Sequence, residues 1–156
     1  MRITTWNVNS LRARLEHVAR FSREASPDVL CLQELKLVDD RFPVDVLAEW
    51  YPHREWWGQP TYNGVALLSK VPITDLRRGF VGSEDPEARI LVCEVAGIRL
   101  YALYTPNGTA VGSPRFHHKL RWLRQLRADL DAWPKDTPLM VVGDMNVALD
   151  DLDVWD

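Results

Sequence analysis

Asp28-Val-Leu-Cys-Leu-Gln-Glu34 is the most informative stretch of the chain. Residues 28–33 are almost continuously apolar over the length of a strand, the pattern of a strand buried on both faces. On its amino-terminal side, Ser26-Pro27 closes a helix, because proline disfavours helical geometry in the residue before it. That helix places Leu11, Leu15, Val18 and Phe21 at near-helical spacing, with Ser10 available as N-cap. Before it, Ile3 to Val8 reads as a first strand.

On the carboxy-terminal side, a short helix is expected from about Pro43 to Trp50, and Gly64 to Ser69 reads as a second buried strand. Arg89 to Val95 and Ile98 to Tyr104 flank Ala96-Gly97 and form a hairpin pattern. Ser113-Pro114 opens a long helix, with serine as N-cap and proline at the first helical position. Phe116, Leu120, Leu123, Leu126 and Leu130 are expected on its apolar face. Leu139 to Gly143 is the last strand. Strands alternating with three helical segments indicate an α/β domain with a mixed sheet.

The 156 residues suffice for one core. A net charge of −3 neither announces nor excludes a nucleic-acid partner, since central carboxylates offset a basic rim in the total. Cys31 and Cys93 lie inside apolar runs and read as buried thiols, with no disulfide framework. Residues 1–10 lack an apolar signal stretch, and no run has the length of a membrane span. An intracellular, cytoplasmic setting without a membrane is the expectation.

Three strands end in polar residues. The first ends at Asn7, the second at Glu34, and the last at Asp144 with Asn146 two residues on. If the strands run side by side in one direction, these groups share one rim of the sheet, where sites in open α/β sheets sit. Two carboxylates and two amides make an all-oxygen cluster suited to Mg²⁺ or Mn²⁺ rather than zinc. Such an ion withdraws charge from a phosphodiester oxygen while a separate carboxylate deprotonates water. That division suggests Glu34 as metal ligand, Asp144 as base and Asn146 as donor to the developing oxyanion. Each residue also has a plainer reading: Asn7 in a local turn, Glu34 as a solvated loop carboxylate, Asp144 as a helix cap. Asp144-Met-Asn146 opens like a calcium loop, but Ala148 stands at the next ligand position and no glycine follows.

On these residues the chain resembles the exonuclease III family of abasic-site endonucleases. Ile3-Thr-Thr-Trp-Asn-Val-Asn-Ser-Leu-Arg-Ala-Arg14, Cys31-Leu-Gln-Glu34, Tyr62-Asn-Gly-Val-Ala-Leu-Leu-Ser-Lys70, Tyr104-Thr-Pro-Asn-Gly108 and Gly143-Asp-Met-Asn146 match five family motifs in order. The resemblance implies a four-layered α/β sandwich of two packed sheets with helices outside, of which residues 1–156 would be the amino-terminal half. It implies metal ligation by Glu34 with Asn7 beside it, and by Asp144 and Asn146. Tyr104 would contact the scissile phosphate, Asp144 would activate water, and Asn146 would support the transition state. Arg12, Tyr62 and Asn107 match family positions on the DNA backbone.

The implied activity is Mg²⁺-dependent cleavage of double-stranded DNA 5′ to abasic sites, with removal of nucleotides from 3′ ends. Family members are longer and have two similar halves. The expectation is therefore that this chain lacks a complementing carboxy-terminal half, is inactive alone, and exposes one apolar sheet face prone to self-association. A truncated module that binds metal or DNA backbone without cutting is the alternative, and a lipid or inositol phosphate phosphodiesterase a lesser one.

Overall fold

The computed structural model describes residues 1–83 and 85–153. Among these residues eight strands and three α-helices follow in chain order: β1 (Ile3–Asn7), α1 (Leu11–Glu24), β2 (Val29–Gln33), α2 (Val44–Ala48), β3 (His53–Trp57), β4 (Val65–Ser69), β5 (Ile73–Arg78), β6 (Ile90–Val95), β7 (Ile98–Tyr104), α3 (Pro114–Asp131) and β8 (Leu139–Asp144). The single sheet read from the strand–helix alternation is two sheets, as the family resemblance implied. One has the order β1-β2-β4-β3 and the other β5-β6-β7-β8. Both are mixed: β1 runs parallel to β2 and β8 parallel to β7, while the remaining pairs are antiparallel.

Side-chain alternation stacks the layers. Val29 and Cys31 of β2 and Val65 and Leu67 of β4 pack against Leu91, Cys93, Leu100 and Ala102 of β6 and β7. Leu30, Leu32 and Leu68 point the other way, onto Leu11, Val18 and Phe21 of α1. Tyr101 and Leu103 point onto Trp122 and Leu126 of α3. The order is thus helix, sheet, sheet, helix. Both cysteines are free and buried between the sheets, and burial pushes the thiol of Cys93 up to about 12 and that of Cys31 further.

Capping follows the sequence. The Ser10 side chain accepts from Ala13 N at 3.4 Å, and that of Ser113 from Phe116 N at 3.0 Å. On α3 the deepest anchor is Trp122, which meets Phe80 edge-to-face at 5.0 Å between ring centres. Phe116 and Leu120, expected on the apolar face, are only partly buried.

Among the described residues the expected bare sheet face is not there. Strands β2 and β4 are buried throughout, and β6 and β7 almost throughout, because each sheet already has a helix on one face and the other sheet on the second. Each sheet keeps two edge strands, β1 and β3 in the first and β5 and β8 in the second, and β1 and β8 lie next to each other. Among the described residues, the central strands therefore present no bare face for the self-association expected above. No helix among the described residues is long and apolar enough to cross a membrane.

Candidate active site at the meeting of two sheets

Parallel neighbours end together, so the registers bring the polar strand ends to one rim. Asn7 on β1 pairs with Gln33, which places Glu34 one residue beyond the end of β2. Tyr104 on β7 pairs with Asp144 on β8. The two sheets supply one carboxylate each.

Asn7 joins them. Its Nδ2 donates to Glu34 Oε1 at 2.8 Å and to Asp144 Oδ2 at 2.8 Å, while its Oδ1 accepts from Asn9 N at 3.0 Å. The two carboxylate oxygens are thus no more than twice 2.8 Å apart. The Tyr104 hydroxyl donates to the same Glu34 Oε1 at 2.9 Å, and Lys36 Nζ stands 2.9 Å from Oε2. Burial alone would raise the Glu34 pKa, but hydrogen bonds from Asn7, Lys36 and Tyr104 outweigh it and hold the carboxyl below its usual range. Burial, reinforced by the adjacent Glu34 carboxylate, raises Tyr104 to about 12, so its hydroxyl stays protonated at neutral pH.

Asn146 closes the other side. Its backbone N–H donates to Asp144 Oδ1 at 2.9 Å, and its Nδ2 donates to Thr105 O at 2.8 Å. Asn9, Ser10, Glu34, Lys36 and Asn146 all have φ between +43° and +89°. Left-handed backbone is unfavourable for L-residues and concentrates where a site imposes it. Gly143 (φ +142°) lets β8 lie close enough for Asp144 to reach the cluster, since a Cβ there would sit 1.8 Å from Leu103 O.

Asn7, Glu34, Tyr104, Asp144 and Asn146 therefore form one connected group. Arg12, Tyr62 and Asn107 lie outside it. Arg12 lines a groove of about 770 Å³ beside the cluster, together with Ser10, Lys36 and Arg41. Tyr62 is exposed on a turn whose next residue, Asn63, accepts the Lys36 N–H through its carbonyl. Asn107 is exposed and caps a local turn through Thr109 N at 2.8 Å.

Two supporting residues escaped the sequence reading. Lys36 contacts Glu34 through a loop bend that periodicity does not show. Arg89, buried at the start of the hairpin, lies 5.0 Å from the Tyr104 ring centre, donates to Tyr104 O at 3.2 Å and is paired to Glu87 at 2.5 Å. Its only sequence signal is a charged residue leading into an apolar strand.

The donor set fits a hard divalent cation. It is all oxygen and centred on a carboxylate kept ionised. Among the described residues no three His, Cys, Asp or Glu side chains converge, so such an ion would complete its shell with water and substrate oxygens.

Comparison with known proteins places the chain in a family. Residues 4–156 match the model of the Endonuclease/Exonuclease/phosphatase family. Over 99% of its length the chain is 35% identical to the DNA repair nuclease APEX1 of Danio rerio and 31% identical to exodeoxyribonuclease III of Haemophilus influenzae, covering 51% and 60% of those proteins. An AP endonuclease from Archaeoglobus fulgidus superposes with a TM-score of 0.93 at 34% identity, over all of this chain and 61% of that one. The chain thus spans about half to three fifths of the length of these relatives.

Proposed function

The chain belongs to the endonuclease/exonuclease/phosphatase family, and from that premise we propose that it carries the metal-binding and water-activating core of a Mg²⁺-dependent DNA-repair phosphodiesterase. The proposed reaction is hydrolysis of the backbone of double-stranded DNA 5′ to abasic sites and removal of nucleotides from 3′ ends. One observation carries the reading: Asn7 bridges a carboxylate from each sheet, and Tyr104 shares the Glu34 oxygen it holds. A cluster that spends two amide hydrogens and a phenol on holding two carboxylates together is built for a cation and a phosphate rather than for stability.

Glu34, ionised and partly buried, is the ligand that would hold Mg²⁺ or Mn²⁺, with Asp144, Asn7 and Asn146 as the further candidate ligands of the same rim. The ion, when bound, withdraws charge from the phosphate and eases departure of the leaving oxygen. Asp144 accepts the proton of the attacking water. Its orientation is fixed beforehand by Asn7 on one oxygen and the Asn146 N–H on the other. Tyr104, protonated at neutral pH, acts as a hydrogen-bond donor and not as a base. Arg12 and the groove beside it take backbone phosphates, which positions a duplex without reading its sequence.

The test is incision of a labelled duplex containing one abasic site, with Mg²⁺ and with a chelator as control. Metal-dependent cutting that falls roughly 10²–10⁴-fold in Asp144→Asn supports the assignment of the base. Cutting that is indifferent to Glu34→Gln and Asp144→Asn sinks it. Where the folded chain alone does not cut, incision restored by adding a complementing carboxy-terminal half supports the enzyme reading, and retention of DNA and Mn²⁺ with no incision even then supports the non-catalytic module.

A further inference from the structure

Lys36 reaches into the carboxylate cluster from the loop after β2. Glu34 (φ +57°) and Lys36 (φ +53°) both take the left-handed conformation, while Leu35 between them is fully buried. The N–H groups of Leu35 and Lys36 are tied to Gly64 O at 3.2 Å and Asn63 O at 3.0 Å. These two bends turn side chains only two apart in sequence toward each other. Lys36 Nζ then has two partners, Glu34 Oε2 at 2.9 Å and Asn9 Oδ1 at 2.5 Å.

The division of Glu34 is what matters. Oε1 is already taken by Asn7 and Tyr104, so Oε2 is the oxygen through which Glu34 can meet a cation, and Lys36 holds it. The same lysine lines the groove that also contains Arg12 and Arg41. A compact ammonium on a flexible stem can leave one partner for another with little rearrangement. We infer that Lys36 is an internal counter-cation that a divalent ion displaces from Glu34, and that the released ammonium turns into the groove to join Arg12 and Arg41 against substrate phosphates.

This inference rests on the reading of the cluster as a cation site, and it adds a linkage to it. A metal ion and a polyanion then favour each other's binding, and by reciprocity each raises the other's affinity by the same factor.

The experiment is calorimetric titration of Mn²⁺, without DNA, into the wild type, Lys36→Met, Lys36→Gln and Lys36→Arg, each checked for folding by circular dichroism. Either neutral variant is expected to bind Mn²⁺ about 5–10-fold more tightly than the wild type, a coupling of ordinary size. Lys36→Arg is expected to stay within about twofold of the wild type, and Mn²⁺ is expected to tighten wild-type binding of a short duplex more than that of the neutral variants. A folded neutral variant with unchanged or weaker Mn²⁺ affinity overturns the exchange, as does Lys36→Arg behaving like Lys36→Met. Failure of the underlying reading looks different: the wild type then takes up no Mn²⁺ at all, and Glu34→Gln changes nothing.

Discussion

Tyr104 shows how one hydrogen bond sets a residue's chemistry. Its phenol is partly buried against an ionised carboxylate, so losing its proton would leave two facing negative charges. A folded pKa raised to about 12 means that Tyr104 contributes stability fully below the ordinary tyrosine value near ~10 and loses it as pH rises toward the folded value. Tyr104→Phe should therefore cost about 1 kcal/mol at pH 7 in urea denaturation, and the gap to wild type should close in alkali. A gap that widens in alkali would refute the donor role. Asn7, Glu34, Asp144 and Asn146 were legible because each follows an apolar strand at its polar end. Lys36 was not, because its contact with Glu34 depends on two left-handed residues, and side-chain periodicity carries no record of backbone handedness.

Among the elements, α3 is held to the second sheet by a polar lock. Asp129 accepts two hydrogen bonds from Arg77 of β5 (3.0 and 2.6 Å), one from the Tyr101 hydroxyl of β7 (2.6 Å) and one from Val81 N (3.3 Å). Its carboxyl is held below the usual range because these donors outweigh the cost of burial. Asp129→Ala strands a partly buried guanidinium and a phenol, and should cost about 3 kcal/mol by chemical denaturation at neutral pH. A loss under about 1 kcal/mol would show that water replaces the lock. The strand that supplies Arg77 was missed by the sequence reading, as was His53–Trp57, and both omissions have a physical cause. Both are edge strands with charged side chains that water can reach. Moreover, β5 breaks its own alternation, with a register shift between Thr74 and Arg77 and a left-handed Asp75. Central strands β2, β4, β6 and β7 are the reverse case, since burial on both faces leaves an uninterrupted apolar record.

For the whole molecule, the number of sheets was the quantity that apolar patterning could not supply. A strand buried between helix and sheet looks the same in sequence as one buried between two helices. The five matched motifs carried the two-sheet arrangement instead. The interior between the sheets should also govern the site, because Asn7 and Glu34 come from one sheet and Tyr104 and Asp144 from the other. Leu100→Ala, at a fully buried inter-sheet position, should destabilise by about 2–5 kcal/mol. It should also weaken Mn²⁺ binding, although no site residue is altered. An unchanged Mn²⁺ affinity in the destabilised variant would show that the hydrogen bonds of the cluster fix their own geometry.

Each sheet is also contiguous in the chain: residues 3–69 make the first and residues 73–144 the second. The connection crosses from one to the other once before the site is assembled, at Lys70-Val71-Pro72. A cut in that short connector would yield two fragments, one bearing Asn7, Glu34 and Lys36 and the other Tyr104, Asp144 and Asn146. Neither fragment alone has the bridged carboxylates. The molecule is thus laid out as a complementation pair, in which recovery of cation binding would report that two separate polypeptides had found each other.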